Sequence, residues 1–416
     1  NLLNEKIKEK QLESLFYEIE MPLSYVLADM EYTGIKVNKT ILLQMGEEIK
    51  EKIFLISEEI YSLAGVEFNI SSTSQLGEVL FEKLGLKHGK KGKTGYSTAS
   101  DVLEKLKNDH PIINKVIEYR MLTKLYTTYI DGLVNCIYPD NKVHTIYTQT
   151  LTKTGRLSSI EPNLQNIPVR NEYGKLIRKA FIPSSNSIIM SSDYSQIELR
   201  LLSHIANIES LIDAFKKDID IHTKTASDIF HVDEEDVTKE MRRISKAVNF
   251  GIIYGISGYG LSENLNITRT EAKEFIDNYL NAYPGVKDYM DKTIEEAHKL
   301  GYVKTLMGRI RTIEELNNKN YMIRNSGERI ALNTPIQGTS ADIMKIAMVK
   351  IFEEMKSKNL KSKMLLQVHD ELIFDVIEEE KEVLEELVRR NMETCVKISV
   401  PFKVSHDYGA DWYLCK

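Results

Sequence analysis

Asp193 and Asp370 stand 177 residues apart, each just beyond an apolar run: Ile188-Ile189-Met190 before the first, Met364-Leu365-Leu366 before the second. Short runs of that kind read as strands. If the fold brings the two strand ends together, their carboxylates make a site for a pair of hard divalent cations. Such ions take oxygen ligands and accept substrate phosphates as the remaining ones. The chemistry is that of phosphoryl transfer.

The segment MRRISKAVNFGIIYG at 241–255 reads as a helix from about 240 to 254, on which Arg242, Lys246, Phe250 and Tyr254 recur every fourth residue. Four residues overshoot one turn by only about 40°, so the four side chains share one slowly winding stripe. Two cations followed by two aromatics suit a triphosphate laid along the helix, with phosphates on the cations and sugar and base against the rings. The same spacing fits a helix whose aromatics pack inward while its cations are solvated.

TGRLSSIEPNLQNIPVRNEYG at 154–174 gathers Arg156, Ser158, Asn163, Gln165, Asn166 and Arg170 among the turn formers Gly155, Pro162 and Pro168. Amides and guanidinium groups in such a segment reach the common acceptors of a nucleic-acid backbone or minor groove, and equally serve a polar surface loop. In RIALNTPIQGTSAD at 329–342, Arg329, Asn333 and Gln337 share a face if Thr334-Pro335 only kinks a helix. His369, beside Asp370 and Glu371, invites a catalytic dyad reading, although a histidine at a hairpin tip more often serves as a hydrogen-bonding spacer. There is no GxSxG, and FGIIYGISGYG lacks the GK[ST] ending of a phosphate-binding loop. Its glycines Gly255, Gly258 and Gly260 end a helix and permit a hinge.

These residues need a frame to hold them. With 416 residues, the chain exceeds what a single hydrophobic core usually supports, and two or three lobes are expected. Hydrophobic residues make up 42% and charged residues 28%, as in an ordinary globular protein, and no apolar run approaches a membrane span. The N-terminal NLLNEKIKEKQLE lacks the apolar core of a signal peptide. Cys136, Cys395 and Cys415 show neither zinc-ligand nor disulfide spacing, which fits a reducing compartment. The net charge of −6 does not advertise a nucleic-acid binder, although Lys83, Lys87, Lys90, Lys91 and Lys93 crowd one stretch. Helical patterns fill 37–136, strand-like alternation and turns mark 143–203, and helices return over 204–345. The last 70 residues join a hairpin around His369–Glu371 to a Glu- and Leu-rich helix.

Taken together, the segments resemble the polymerase domain of family A DNA polymerases, the bacterial DNA polymerase I type, across essentially the whole chain. DYSQIELR resembles that family's motif A, RRISKAVNFGIIYG its motif B and QVHDE its motif C, in the family's order. AGVEFNISS, FEKLGL, KTGYST, TGRLSSIEPNLQNIP and RIALNTPIQGTSADI also look like family segments. The resemblance implies an α+β right-hand fold: palm at 1–36, 137–199 and 331–416 with an antiparallel sheet, helical thumb at 37–136, helical fingers at 200–330.

It also implies template-directed DNA synthesis on primer-template DNA, using deoxynucleoside triphosphates and two Mg²⁺ ions, for which Mn²⁺ substitutes. Asp193, Asp370 and the Tyr194 carbonyl would hold the metals, with Glu371 in support. Arg242 and Lys246 would grip the incoming triphosphate, with Lys246 as the acid for pyrophosphate. His222, Gln196 and Arg170 would lie at the same nucleotide. Glu198 corresponds to the steric gate that closes the space of a ribose 2′-hydroxyl. Phe250 stands where relatives carry Phe or Tyr and implies poor acceptance of dideoxynucleotides, while Tyr254 packs by the nascent pair. Arg156, Gln165, Asn166, Arg329, Asn333, Gln337 and His369 match minor-groove and primer-terminus contacts.

Thr73-Ser74 stand where many relatives carry Pro-Lys. No acidic motifs of a 3′–5′ proofreading site and no 5′ nuclease region are present. The expected setting is replication and repair, as a monomer without a membrane, in a bacterial cytoplasm at the nucleoid or in an organelle. A ribonucleotide- or RNA-template-preferring relative and a silent DNA-binding relative are the competing readings.

Overall fold

The computed structural model of the chain describes residues 2–87, 91–92, 95–168 and 172–415. Lys90, Lys93 and Arg170 lie outside them. The chain forms two compact units, one of Asn1–Thr33, Ile146–Ile160 and Ser185–Tyr408, the other of Gly34–Thr145, Glu161–Ser184 and Gly409–Lys416. The helices of 200–330 belong to the same unit as the hairpin that carries Asp370.

The first unit is built on a four-stranded sheet: β1 (Ser187–Tyr194), β2 (Lys363–Val368), β3 (Glu371–Ile377) and β4 (Val404–Gly409), in the order β4–β1–β3–β2. β3 runs antiparallel to both β1 and β2. Ile189, Met190, Leu366, Leu372, Phe374 and Val376 are all buried. Strands covered on both faces show continuous apolar runs instead of alternation, which is why Ile188–Met190 and Met364–Leu366 stood out in the sequence. Each large side chain so buried contributes about 1.5–3 kcal/mol. Among the helices of this unit are α1 (Met21–Thr33), α2 (Ile197–Ile205), α3 (Ile221–Phe230), α4 (Lys239–Ile253), α5 (Tyr321–Ser357) and α6 (Lys381–Thr394). α1 packs on β2, and α6 packs on β1 and β3.

α5 is 37 residues long and runs unbroken through Pro335. A proline in a helix interior removes one N–H and costs about 3 kcal/mol. Burial of Ile336, Ile343, Met344, Ala347, Met348 and Ile351 outweighs it. Just before the proline, Tyr289 Oη donates to the Leu332 carbonyl at 3.0 Å and Thr334 Oγ1 to the Ile330 carbonyl at 2.6 Å. Within the stretch read as helical over 204–345 there is also an antiparallel hairpin, Tyr302–Lys304 with Ile310–Thr312. Gly301, at φ 76°, closes the helix before it, and Gly308, at φ 84°, turns it.

The α1 side of α5 is held by four charges. Lys345, 1% exposed, donates to Glu20 Oε1 at 2.7 Å, and Arg309 bridges Glu20 and Asp342, the latter at 2.6 Å. Thr305 Oγ1 completes Asp342 at 2.7 Å, and Gln149 Nε2 completes Glu20 at 2.6 Å. Burial by itself would raise the Glu20 carboxyl; Lys345 and Arg309 outweigh it and hold it below the usual range. At Asp342 burial wins and the carboxyl is pushed up, Arg309 and Thr305 offsetting only part.

The second unit centres on Ile35–Val37, paired antiparallel with Lys142–Val143 and with Phe181–Ile182. The long helix Lys39–Ala64 starts at an Asn38 cap that accepts from Thr40 N and Ile41 N, and packs against Pro111–Lys124. Ser72 caps the short helix Thr73–Gly77, so Thr73 and Ser74 form its first turn. Trp412 is fully buried beneath the Arg178 guanidinium, 4.0 Å from its ring. All three cysteines are free thiols. No described helix is long and apolar enough to cross a membrane.

Truncating one member of a buried ion network leaves a charge without compensation, at a cost of about 3–5 kcal/mol. Lys345→Met is therefore expected to lower the urea-unfolding free energy by about that amount. A loss below about 1 kcal/mol, the scale of an exposed pair, would show that Glu20 does not depend on Lys345.

Candidate active site

Strand register brings the two aspartates together. Asp193 lies opposite Glu371 in the β1–β3 ladder, and Tyr194 N–H donates to the Asp370 carbonyl at 3.1 Å. β2 ends at Val368 and β3 begins at Glu371, so His369 and Asp370 form the whole turn, with His369 at φ 55°. Ser340 Oγ, from α5, donates to Asp370 Oδ1 at 3.2 Å. Glu371 is buried and accepts from Ser191 Oγ at 2.5 Å. Among the described residues no group of three or more His, Cys, Asp or Glu side chains is arranged to hold a metal ion. What remains is two carboxylates and the Tyr194 carbonyl, an all-oxygen set that fits a hard cation such as Mg²⁺. The negative charge of Asp370 is felt at Glu198 and at Tyr254, where it opposes ionisation of both.

Glu198 sits in the first turn of α2, after Gln196 in the left-handed region at φ 47°. Only 5% of it is exposed. Arg156 Nη2 donates to Glu198 Oε1 at 2.8 Å and Tyr254 Oη to Oε2 at 2.8 Å. Burial pushes the Glu198 carboxyl up, and Arg156 and the Tyr254 hydroxyl restrain the rise. Gly155, at φ 85°, shapes the turn before Arg156, and a Cβ there would meet Arg309 Nε at 2.5 Å.

α4 begins at Thr238, whose hydroxyl accepts from Met241 N, and ends at Ile253. Ile244, Val248 and Ile252 are buried on one face, while Arg242, Lys246 and Tyr254 are exposed and Phe250 half-buried on the other. The alternative of inward rings and solvated cations is met in part: both cations are exposed and Phe250 is half-buried, whereas the Tyr254 ring stays exposed. Arg242 places Nε at 3.1 Å and Nη2 at 2.7 Å from Asp220 Oδ2. Oδ1 of the same carboxylate caps α3 by accepting from His222 N at 2.9 Å and Thr223 N at 3.1 Å. His222, buried in α3, packs near Phe250 with ring centroids 5.9 Å apart. Its imidazole is pushed down to about 4, by burial first and then by the Arg242 and Lys246 charges against the opposing pull of Asp220.

On α5, Arg329 is exposed and Asn333 and Gln337 half-buried, one turn apart on the continuous helix. Asn333 Oδ1 is buried without a hydrogen-bond partner. In the second unit Gln165 is half-buried and Asn166 exposed. Asp220, Thr225, Asn249, Ser191 and Ser340 were not singled out from sequence. Asp220 had a signal, a short acidic residue directly before a helix. The other four are ordinary polar residues with none.

Residues 39–414 match the family model described as DNA polymerase family A. The chain belongs to that family. It is 53% identical over 416 residues to DNA polymerase I of Geobacillus stearothermophilus, covering 100% of this chain and 48% of the relative. DNA polymerase I of Bacillus subtilis strain 168 is 54% identical over 417 residues, with 100% and 47% covered. Among solved structures, the POL domain of Pol1 from M. smegmatis, a complex with DNA primer-template and dNTP, matches with a TM-score of 0.94 at 42% identity, covering 99% of this chain and 73% of that one. The α+β polymerase fold expected from sequence is thus the fold of this family A chain. The chain spans about half the length of the curated relatives it matches.

His222 gives the site a pH signature. The unfolded chain takes up a proton at about pH 6.5, the ordinary histidine value, whereas the folded ring does so at about 4. Stability is therefore expected to fall as the pH drops through that window, by about 1.4 kcal/mol per pH unit for this one group, and to level off below it. His406, also pushed down to about 4 by burial, adds a like slope. Urea midpoints measured across the window check this: His222→Asn should remove one proton's share of the slope, and an unchanged slope would place the protonated ring in the fold without cost.

Proposed function

We propose that this family A chain performs template-directed DNA synthesis, adding deoxynucleoside triphosphates to a primer 3′-hydroxyl with release of pyrophosphate. The observation that carries the reading is the strand pairing that sets Asp193 and Asp370 side by side at the end of one sheet, in the same compact unit as the α4 stripe. The M. smegmatis complex, whose partners are primer-template DNA and dNTP, supports the same substrates here.

Asp193, Asp370 and the Tyr194 carbonyl would hold two Mg²⁺ ions. When bound, such ions activate the attacking hydroxyl and neutralise charge on the leaving pyrophosphate. Arg242 and Lys246 grip the triphosphate, and Lys246 hands a proton to the departing pyrophosphate. Phe250 and Tyr254 flank sugar and base, with Gln196 nearby. Glu198, clamped by Arg156 and Tyr254, stands where a ribose 2′-hydroxyl would need room. Arg329, Asn333, Gln337, His369, Gln165 and Asn166 contact the duplex, and Arg170 the triphosphate. A bacterial cytoplasm is the setting the bacterial relatives favour; the role there is replication and repair, and the working form is a monomer.

Extension of a labelled primer on a DNA template tests the reading. Mg²⁺-dependent extension with dNTPs and little with rNTPs is expected. Asp193→Ala and Asp370→Ala should each lower the rate at least about 10³-fold, the effect of losing several kcal/mol of transition-state charge stabilisation, while primer-template binding persists. Normal extension by either variant would remove the two-metal assignment, and tight DNA binding without turnover by the unaltered chain would favour a silent DNA-binding relative.

A further inference from the structure

Behind His222 lies a buried chain of hydrogen bonds whose direction follows from counting protons. Thr225, Asn249 and His222 are 0%, 0% and 4% exposed, so water does not complete their valences. The Thr225 hydroxyl has one proton and gives it to the Ile221 carbonyl at 2.7 Å, in preference to the longer 3.4 Å approach to Asn249 Oδ1; the Tyr283 hydroxyl, also beside Thr225, spends its own proton on Asp228 Oδ2 at 2.5 Å. Thr225 Oγ1 is then an acceptor, and Asn249 Nδ2 stands 3.1 Å from it. That bond orients the amide, because the reversed amide would set two acceptors against each other. The second Nδ2 proton meets His222 Nδ1 at 3.2 Å. Nδ1 is therefore the bare nitrogen, and the ring proton resides on Nε2.

We propose that Asn249, oriented by Thr225, is a positioning residue that fixes the His222 tautomer and so presents Nε2–H as a hydrogen-bond donor to the triphosphate of the incoming nucleotide. The inference rests on the reading of the site given above. It divides the work at the triphosphate into two kinds. Arg242 and Lys246, on α4, attract the phosphates by charge, whereas His222, on α3, contributes a directed hydrogen bond from an uncharged ring. The charged groups acting on that ring are Asp220, at the start of its own helix, and Arg242 and Lys246 from α4. The depressed imidazole value agrees with the geometry: the donor keeps its form throughout the neutral range.

Nitrogen-15 NMR of the whole chain labelled at histidine reads the tautomer, with His222→Gln identifying the signal. A protonated Nε2 and bare Nδ1 at neutral pH are expected. Thr225→Val removes the acceptor that orients Asn249 at nearly constant volume, so the Nδ1-protonated form should appear. KM for dNTP in primer extension should rise about tenfold, the size of one hydrogen bond to a charged group, with kcat moving less. Thr225→Ser, which keeps the hydroxyl, should restore both readouts. Asn249→Asp places an acceptor at Nδ1 and should make KM depend on pH near neutrality. A bare Nε2 in the unaltered chain, or a Thr225→Val variant with unchanged tautomer and KM, overturns the proposal. Absence of primer extension by the unaltered chain would instead strike the polymerase reading, while the spectrum would still judge the relay.

Discussion

The pairing of β1 with β3 is the constraint on which the site depends. It turns a separation of 177 residues into adjacency: Asp193 faces Glu371, and Tyr194 N–H holds the carbonyl of Asp370. Every residue of that ladder from Ile189 to Leu372 that is apolar is buried. Because both faces of the sheet are covered, a shift of one residue would exchange these side chains between two packed faces and force both to repack, so the hydrophobic register and the carboxylate alignment are one constraint. The sheet cannot keep its core and misplace its acids.

Around this pair the first unit sorts its polar groups by exposure. The cations of the α4 stripe stand at the surface, where charge is cheaply solvated and available to an anion. The groups that hold shape, Glu198, Glu371 and His222, are buried, and each has a hydrogen-bonded neighbour: Arg156 and Tyr254 for the first, Ser191 for the second, Asn249 for the third. Buried polar groups persist where their hydrogen bonds are complete, and complete networks rigidify what they hold. Asp220 joins the two classes, capping α3 with one oxygen while the other binds Arg242. Any anion drawn to Arg242 would have to compete with that carboxylate.

How far the chain was legible follows from the range of each interaction. The two aspartates were visible because a buried strand writes a continuous apolar run with only two or three residues between it and each acid. The α4 stripe was visible because helical spacing is local, although only the burial of Ile244, Val248 and Ile252 showed which way it faces. The hairpin Tyr302–Lys304 with Ile310–Thr312 escaped because three-residue strands are shorter than any periodicity window and lie between long helices. Helix α5 crosses Pro335 since its buried residues outweigh a local penalty that the sequence shows plainly. Partnerships such as Glu20 with Lys345, 325 residues apart, leave no local trace. Nor does the proton direction through Thr225 and Asn249, which needs distances to be read at all.

The turn between β2 and β3 has only two residues, His369 and Asp370, and a side-chain amide of Gln367 already ties down the His369 carbonyl. His369 sits at φ 55°, a backbone region that non-glycine residues seldom occupy. A loop with no spare residues has no slack: an inserted or deleted residue there would displace the Asp370 carboxylate bodily. Length is thus the stiffest constraint on this corner of the molecule, and the left-handed backbone at position 369 adds a second one on which residue types can stand there.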